Sequence, residues 1–552
     1  MNKPRLPETL QKLFSWSMYP YWIFLTALVL SLSIAIFSEV PMVDLTRYCP
    51  MAEAFRLGCW ENAFHPRIAP LVPCLGGILS FLTGLHAFPA LKLLSSLTFA
   101  LTVFPLYGIF RRFLEPLPAR IGILMTAFAS MSLRYSSSGM RDSTKGFLYI
   151  LCVYLLLRIF DDRRKPGSYL WLGLSAALLS LSRTECPVYT GMFLAAAMAF
   201  ELFRGKPVFP WRSLLAILTA LIVVTPWLCY MQKTTGYPVP QVRYAHLLDQ
   251  LLNREDYRRV LIEQNDGADV KPAGVLQKPK DSPRNDTPIL PALRHNKEYE
   301  HPGEPATLER FFNSVLNGFY PPFGILALLG IFVRLKQKKW TAAETVVCAS
   351  LLLHLILLVV QIRIADHAYY ISRRYQLPVT PLEFGWSAYG AWILYQFLAA
   401  RTAIVRHPAV LVLLFLVPAV LLYSHAFLRI YKSYRSKSKS IEREALRRLS
   451  REIRRDYKGP RHFERITFDL ERYTPNMRPT VFSYWEQLGI LSGGQSLHAD
   501  DPDWQLGRIT PDYIVVRQND ISPDAMRTSG YIRIRTCLIR GIPFHLYKNR
   551  GI

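Results

Sequence analysis

Residues 13–38 read LFSWSMYPYWIFLTALVLSLSIAIFS, a stretch without a single Asp, Glu, Lys or Arg. A helix needs about 20 apolar residues to cross a bilayer, so this stretch predicts a membrane span. Three basic residues, Lys3, Arg5 and Lys12, lie before it, and it lacks a small-residue cleavage motif. We therefore expect an uncleaved first helix rather than a removed signal peptide.

Four later stretches have the same character: Leu93 to Phe110, Ser213 to Gln232, Phe311 to Val333 and Ala409 to Leu428. Across the 552 residues, 51% are hydrophobic and only 19% are charged. Ordinary globular chains carry about 25% charged residues. The composition therefore favours a polytopic α-helical membrane protein over a soluble protein of several domains.

The chain has 66 Lys and Arg against 40 Asp and Glu, a net charge of +26. In a soluble protein this excess would suggest nucleic acid, but here the basic clusters alternate with apolar stretches. Cytoplasmic loops of membrane proteins are rich in Lys and Arg. If all these basic clusters are cytoplasmic, the membrane spans between them come in pairs. This predicts a cytoplasmic N-terminus, an extracytoplasmic C-terminus, an inner (plasma) membrane location and no nucleic-acid partner. Eleven helices are expected, near 16–38, 89–110, 119–134, 143–159, 168–183, 187–203, 211–230, 318–335, 341–361, 378–399 and 407–427.

One apolar stretch, Ile68 to Leu85, is not counted as a span. Counting it would move Arg111, Arg112 and every later basic loop to the outer side, against the positive-inside rule. We expect this segment to lie along the outer interface or to re-enter the membrane.

Two domains follow from this arrangement. Residues 1–430 form the transmembrane domain, with outer loops at 39–88 and 231–310. Residues 431–552 are expected to form a small extracytoplasmic α/β domain, because strand-like alternation occurs at 513–516, 532–535 and 544–547. Helical spacing of Ile441, Ala445, Leu449 and Ile453 precedes these strands.

Two carboxylates, Glu39 and Asp44, come directly after the first span. A carboxylate at the bilayer surface can remove a proton from a sugar hydroxyl as that hydroxyl attacks. From spacing alone, an ordinary solvated loop explains them equally well. Cys49 and Cys59, in the same loop, are either free thiols or a disulfide.

The first outer loop carries motifs that resemble a known family. The motifs are Asp44-Leu-Thr-Arg47-Tyr48, Ala52-Glu53-Ala54-Phe55, Gly58-Cys-Trp60 and His65-Pro66-Arg67-Ile68-Ala69-Pro70-Leu71. They resemble the first outer loop of GT-C glycosyltransferases, which use polyprenyl-phosphate sugars and include protein O-mannosyltransferases and aminoarabinose lipid A transferases. Further similar motifs follow in the family's order: Leu181-Ser182-Arg183-Thr184-Glu185, Thr225-Pro226-Trp227, Gly236-Tyr-Pro238 and Arg374-Tyr375-Gln376-Leu377-Pro378.

The resemblance implies a GT-C fold and identifies Asp44 as the expected catalytic base, with Glu39 as the next candidate. It places Tyr48 and His65 among the substrate-binding residues, although His65 is expected to pack in the loop rather than bind a metal. The chain departs from the family pattern at Leu45, Arg67 and Gln232-Lys233, which bears on donor contacts and on the acceptor class.

A phosphate leaving group needs compensating positive charge. The planar guanidinium group of Arg can donate two parallel hydrogen bonds to two phosphate oxygens. The candidates on the outer side are Arg141, Arg183, Arg373 and Arg374. Nearby substrate-binding candidates are Asp142, Glu185 and Tyr375. Three structural alternatives stay open: an Arg183–Glu185 ion pair, an Arg141–Asp142 loop pair, and headgroup anchoring by Arg373 and Arg374.

The expected activity is transfer of a sugar from a polyprenyl-phosphate donor to an extracytoplasmic acceptor, with inversion at the anomeric carbon. The acceptor would be lipid A, an envelope glycan or a protein. No cofactor is required, although Asp44 and Asp142 have the chemistry to hold a divalent ion. The rival hypothesis is a transporter or lipid flippase, which often shows related halves and matching broken helices. The sequence shows neither clearly.

Overall fold

The computed structural model is mainly helical, with one small sheet near the C-terminus. It describes residues 17–37, 45–240 (without 67, 163–164, 184 and 205–209), 320–364, 373–402, 419–428 (without 421 and 425), 437–458, 480–482, 488, 495–497, 511–517, 523–539 and 542–550.

Twelve helices lie in the first part of the chain: α1 (Tyr19–Phe37), α2 (Leu45–Arg56), α3 (Trp60–Ala63), α4 (Leu71–Thr83), α5 (Ala87–Leu101), α6 (Val103–Phe110), α7 (Pro116–Phe128), α8 (Ser130–Ser136), α9 (Arg141–Asp161), α10 (Pro166–Ser180), α11 (Cys186–Arg204) and α12 (Trp211–Thr235). The later helices are α13 (Pro321–Lys336), α14 (Ala342–Ile364), a 3₁₀ helix (Arg373–Gln376), α15 (Thr380–Arg401) and α16 (Lys437–Asp456).

Ten of the eleven predicted spans coincide with these helices, and the eleventh, 407–427, lies largely outside the described residues. Within the described residues, six helices or helix pairs are long and apolar enough to cross a membrane, and a seventh qualifies if the bent pair α7 and α8 forms one span. The chain is therefore a multi-pass membrane protein. The count of eleven spans stays a prediction.

The predicted third span, 119–134, is not one straight helix. Its two parts, α7 and α8, meet at an angle of 50°. The break lies at Ala129, whose ψ of 107° is not helical. The hydroxyl of Tyr320 accepts a hydrogen bond from the backbone amide of Met131, a donor near the start of the second part. A side chain thus satisfies one of the polar groups that the broken helix exposes.

The segment Ile68 to Leu85 contains one apolar helix, α4, of 13 residues. Its C-cap is Gly84, with a φ of 69°, a left-handed conformation that glycine adopts without strain. Thirteen residues are too few to cross a bilayer, since about 20 are needed. The structure therefore agrees with leaving this segment out of the span count.

The chain forms two compact units, which are described separately. The first comprises residues 1–39, 92–226 and 301–431, and the second comprises 40–91, 227–300 and 432–552. Within the first unit, α13 and α15 touch backbone to backbone. A Cβ added at Gly330 would collide with the carbonyl oxygen of Trp386, and one added at Gly390 would collide with that of Leu326. Small residues permit such close helix packing in membranes.

A buried ion pair also lies in the first unit, where Arg334 near the end of α13 binds Glu344 in the first turn of α14. Glu344 accepts further hydrogen bonds from the backbone amide and the hydroxyl of Thr341, at 2.8 and 3.1 Å. These contacts close the short connection between the two helices.

The second unit contains a five-stranded sheet. Its strands are β1 (Thr480–Phe482), β2 (Gln495–Leu497), β3 (Tyr513–Arg517), β4 (Tyr531–Ile539) and β5 (Ile542–Asn549), with a short helix, α17 (Pro523–Thr528), before β4. The order is β2-β1-β3-β5-β4, parallel among the first three and antiparallel among the last three.

The core of this sheet domain is formed with α16. Ala445, Leu446, Leu449 and Ile453 of that helix pack with Val515 and other buried residues of the sheet. Their spacing of three to four residues places them on one helix face. The expected small α/β fold is therefore present. In the described part of the second unit, Cys49 and Cys59 do not form a disulfide.

Candidate functional site

A cluster of buried charges lies in the first unit, at the N-terminal end of α9. Asp142 and Lys145 are 1% exposed each, and they stand three residues apart, which brings them to one side of the helix. A carboxylate in the first turn is favoured by the positive end of the helix dipole. A buried lysine is costly unless it is paired, so its partner defines the site.

The partners come from the short connection between α10 and α11. Arg183 forms a buried ion pair with Asp142. Its Nε also lies 2.9 Å from Oε1 of Glu185, and the same oxygen accepts a hydrogen bond of 2.7 Å from Nζ of Lys145. The connection is therefore held against α9 by two carboxylates and two cations.

An aromatic ring from the 3₁₀ helix covers this network. Cζ of Arg183 lies 4.4 Å from the ring centroid of Tyr375, and Cζ of the neighbouring Arg374 lies 5.7 Å from the same centroid. A guanidinium group over an aromatic face gains cation–π stabilisation. The segment that carries Arg374 is thus positioned directly beside the cluster.

His354 links the same segment to α11 and α14. Its Nε2 lies 2.9 Å from the backbone oxygen of Tyr375, and its Nδ1 lies 2.8 Å from the hydroxyl of Tyr189. Because a carbonyl oxygen only accepts, Nε2 carries the proton and the Tyr189 hydroxyl donates to Nδ1. His354 is therefore assigned as a neutral imidazole whose two nitrogens both have partners.

These contacts form a closed ring. Nζ of Lys145 lies 5.4 Å from the ring centroid of Tyr189. Because the Tyr189 hydroxyl also contacts His354, Tyr189 connects His354 back to the ion pairs. Each member therefore restrains the next. A network of this kind holds its charged groups in fixed positions, which is the requirement for electrostatic catalysis.

Glu185 stays ionised in this environment. Burial alone would raise its pKa, but the positive charges of Arg183, Lys145 and Arg141 together hold the pKa well below its usual range. Arg141 thus acts on the cluster electrostatically from the first residue of α9.

Positive charge exceeds negative charge in the cluster. Among the described residues, four basic side chains, Arg141, Lys145, Arg183 and Arg374, lie in or beside the cluster, and the carboxylates are those of Asp142 and Glu185. Arg141 and Arg374 are half-buried, whereas Lys145 and Arg183 are buried. An excess of two positive charges in a partly desolvated place suits an anion of one or two charges, such as a phosphate.

The structure brings together five of the residues predicted from the sequence: Arg141, Asp142, Arg183, Glu185 and Tyr375, with Arg374 beside them. The Arg183–Glu185 ion pair considered in the sequence analysis is present. The Arg141–Asp142 loop pair is wrong as stated, because both residues belong to α9 and Asp142 pairs with Arg183. The connection between α8 and α9 consists of residues 137–140 only.

Other predicted residues are not joined to this cluster by the structure. Glu39 and Asp44 lie outside the described residues, and nothing is described of the Arg373 side chain. Tyr48 and His65 belong to the second unit, where both are buried. The backbone of His65 bridges to Ile68, in agreement with a packing role in its loop.

Three members of the ring were not predicted from the sequence: Lys145, Tyr189 and His354. A signal was present for two of them, because Lys145 and His354 are ionisable groups within apolar helices, where such groups are costly and usually functional. For Tyr189 the sequence offers no signal. Among the described residues, no three His, Cys, Asp or Glu side chains come together as a metal site requires.

Comparison with known proteins gives this geometry a context. The family model for dolichyl-phosphate-mannose-protein mannosyltransferase matches residues 65–230, the part of the chain that holds Asp142, Lys145, Arg183 and Glu185. The solved structure of ArnT from Cupriavidus metallidurans bound to undecaprenyl phosphate aligns with 96% of this chain and 98% of that chain, with a TM-score of 0.57 and 13% identity. Its apo state aligns over the same shares, with a TM-score of 0.56 and 12% identity.

The chain has the GT-C fold. The resemblance inferred from the sequence motifs is thereby confirmed, and the family-model match supports a membrane glycosyltransferase that uses a polyprenyl-phosphate sugar. The oligosaccharyltransferase AglB from Archaeoglobus fulgidus, solved with an inhibitory peptide and a dolichol-phosphate, aligns with 91% of this GT-C chain and 70% of that chain, at 13% identity and a TM-score of 0.46. No curated protein sequence matches the chain described here.

Proposed function

We propose that this protein is an inverting glycosyltransferase that takes a sugar from a polyprenyl-phosphate donor and transfers it to an acceptor on the outer side of the inner membrane. The observation that carries the proposal is the buried cluster of Asp142, Lys145, Arg183 and Glu185 in a GT-C fold. Together with Arg141 and Arg374 beside it, the described cluster has four basic side chains against two carboxylates, and its ion pairs hold one another in place.

Arg374 and Arg141 are the proposed contacts to the donor phosphate. Both are half-buried, so each retains some solvent exposure beside the fixed ion pairs. Arg183 and Lys145 already hold carboxylates, and their role is to position the cluster and to supply positive potential. As the bond to the sugar breaks, negative charge grows on the phosphate oxygens, and fixed cations stabilise that charge most.

The catalytic base remains Asp44 by family resemblance, with Glu39 as the second candidate. The base takes the proton of the acceptor hydroxyl as its oxygen attacks the anomeric carbon, and the bond between that carbon and the phosphate oxygen breaks on the opposite side. Configuration is inverted, and polyprenyl phosphate leaves with both electrons of the broken bond. Lipid A, an envelope glycan and a protein all supply suitable acceptor hydroxyl or phosphate oxygens.

The proposed orientation follows the basic loops. With a cytoplasmic N-terminus, Arg334 and the basic residues after it face the cytoplasm. The cluster then belongs to the outer side, as does the C-terminal domain. A prenyl phosphate carries its charge at the membrane surface, which is the depth at which the ends of α9 and α11 would lie.

The first experiment measures donor-lipid binding. The full chain in detergent is mixed with undecaprenyl phosphate or with undecaprenol, which lacks the phosphate, and the thermal midpoint is followed. We expect stabilisation by the phosphate lipid only, since a ligand that binds the folded state raises its apparent stability. Equal stabilisation by undecaprenol would contradict a phosphate site.

A matched control is available in the same unit. Arg334 and Glu344 form a buried ion pair of similar burial to Arg183 and Asp142, but the proposed topology places it at the cytoplasmic side. Arg183→Lys should weaken the response to undecaprenyl phosphate, whereas Arg334→Lys should leave it unchanged even if stability falls. Equal loss in both variants would return Arg183 to a purely structural role.

The rival transporter hypothesis is tested by catalysis in detergent. Transport requires a sealed membrane, but transfer does not. The purified chain should release undecaprenyl phosphate from an undecaprenyl-phosphate-linked sugar when membrane extract supplies the acceptor. Donor binding without any release, in every extract that supports the activity in cells, would favour the transporter.

A further inference from the structure

A groove lined by arginines lies along the edge of the C-terminal sheet, between α16 and β4. Its volume is about 260 Å³. We call it the arginine groove. The residues that line it are Arg448, Arg451, Glu452, Arg455, Arg535, Thr536, Cys537 and Leu538. The strand β4 is an edge strand, and its pairing with β5 shifts register between Arg533 and Arg535. Such a register shift is a β-bulge, and β-bulges often change the direction of side chains near binding sites.

The arginines of the groove are held in place by specific contacts. Glu452 pairs with Arg535 across the groove and, at 3.7 Å, with Arg455 on its own helix. Arg448 pairs with Glu444 at 2.7 Å and donates a hydrogen bond of 3.0 Å to the backbone oxygen of Leu538. These contacts connect α16 to β4, so the groove is a built part of the domain.

Arg451 differs from the other three arginines. Like them it is exposed, but its Nε donates a hydrogen bond of 3.1 Å to the backbone oxygen of Arg447 and, within the described part of the chain, no ion pair holds its guanidinium group. With four guanidinium groups and one carboxylate on its lining, the groove has a positive potential centred on this residue.

We infer that the arginine groove binds a negatively charged sugar of the acceptor. Guanidinium groups recognise carboxylate and phosphate oxygens through paired hydrogen bonds. The carboxylate of Glu452 offers a hydrogen-bond acceptor for a sugar hydroxyl beside the charged groups. The volume lies below the range of about 300–1,000 Å³ of drug-sized sites, so one or two sugar rings are the fitting size.

The concave shape favours a sugar over a lipid surface. A bilayer presents its headgroups as a nearly flat layer, which a projecting basic face meets better than a recess does. A charged sugar enters a recess and is contacted from both sides, by α16 and by β4. The identification of this sugar as part of the acceptor rests on the proposed function, but the binding itself does not.

Binding to the full chain in detergent tests this inference. The matched probes are digalacturonate and maltose, two disaccharides that differ in charge, and glucose 6-phosphate with glucose. Titration calorimetry should give at least tenfold tighter binding of each charged sugar than of its neutral counterpart. Preference for glucose 6-phosphate or for digalacturonate would then identify phosphate or carboxylate as the natural charge. Equal binding of the neutral sugars would overturn the inference.

The matched variants are Arg451→Gln and Arg527→Gln. Both remove one exposed arginine from the second unit, but Arg527 lies on α17 and is not part of the groove lining. Arg451→Gln should weaken binding of the charged sugars about tenfold, and Arg527→Gln should not change it. Equal weakening in both would indicate general charge attraction and would overturn the site.

Two further measurements separate the alternatives. Vesicles of phosphatidylglycerol should bind Arg451→Gln and the unmodified chain alike; vesicle binding that depends on Arg451, with no sugar binding, would overturn the inference in favour of a lipid surface. The response to undecaprenyl phosphate should be the same in Arg451→Gln and the unmodified chain. If that response were absent in both while charged sugars still bound, the proposed function would fail and the groove would stand.

Discussion

Arg183 and Asp142 form an ion pair across 41 residues of sequence, with both side chains buried. Removal of one partner leaves an unpaired buried charge, which costs about 3–5 kcal/mol. Asp142→Ala should therefore lower the free energy of unfolding by about that amount. Replacing the pair together, as Asp142→Leu with Arg183→Met, should restore most of this stability because Glu185 keeps its partner Lys145.

The double variant separates stability from function. If the cluster serves the donor phosphate, the double variant should be stable in thermal unfolding yet respond weakly to undecaprenyl phosphate. A stable double variant with full donor response would show that Arg183 and Asp142 are structural only.

Asp44→Asn tests the proposed base. Loss of a positioned proton acceptor typically lowers the rate by about 10²–10⁴-fold. We expect this loss in sugar transfer, with expression and donor binding unchanged. A nearly unchanged rate would remove Asp44 from the mechanism, and Glu39→Gln would be the next variant to measure.

Arg374→Lys tests the phosphate contact. A lysine keeps the charge but loses the planar fork, so donor use should weaken by about 1–3 kcal/mol. Steady-state kinetics against donor concentration give this value. The control is Arg401→Lys at the other end of α15, where the guanidinium lies 4.2 Å from the ring centroid of Phe397. Unchanged donor dependence in Arg374→Lys would support a headgroup anchor instead.

Gln376→Leu should stabilise the protein. The Gln376 side chain is fully buried, and within the described residues neither its amide nitrogen nor its amide oxygen has a hydrogen-bond partner. Burying such groups unpaired costs about 1–3 kcal/mol, which an apolar side chain of similar size avoids. Thermal unfolding in detergent measures the change. Gln337→Leu, at an exposed position, should change stability by less than about 0.5 kcal/mol, and a destabilised Gln376→Leu would refute the assignment.

His545 makes the C-terminal domain sensitive to mild acid. Burial, aided by the charge of Arg533, lowers its pKa, and its Nδ1 lies 2.9 Å from the Thr536 hydroxyl. The unfolded chain therefore binds the proton more readily, and the domain's free energy of unfolding should fall as the pH drops below the ordinary value of about 6.5. His545→Gln should remove this dependence.

The buried thiol of Cys537 in β4 provides the reporter. In a chain with the other cysteines replaced, its labelling rate measures opening of the domain. Divided by the rate of the urea-unfolded chain at the same pH, which corrects for the smaller thiolate fraction in acid, the rate should rise between pH 6.5 and pH 5 in the unmodified chain and stay level in His545→Gln. The same rise in both chains would assign the acid sensitivity to other groups.

The helices were largely predictable because a bilayer imposes a length and an apolar composition on each span. Residues 143–159 and 187–203, for example, coincide with α9 and α11 within a few residues. The bend at Ala129 was not predictable, since it depends on backbone dihedrals and on Tyr320, almost two hundred residues later. The helix α12 extends to Thr235, a few residues beyond the predicted span 211–230.

The residues of the candidate site were partly predictable from the sequence, but the contacts that join them were not. Arg183 and Glu185 stood out because charges between apolar spans are costly. Their binding to Asp142 and Lys145 requires that α9 lie beside the α10–α11 connection, which no local pattern encodes. The ring through Tyr189 and His354 likewise depends on packing between α11 and α14.

The contact between Gly330 and Gly390 has a mechanical consequence for catalysis. Neither position has room for a Cβ, so any larger side chain at either one would force α13 and α15 apart. The 3₁₀ helix with Arg374 and Tyr375 lies just before α15. Its position therefore depends on the packing of α15 against α13 at Gly390, several turns along the helix. A methyl group at Gly390 would push α15 away from α13, and through the start of α15 it would shift the proposed phosphate contact of Arg374 without touching the ligand.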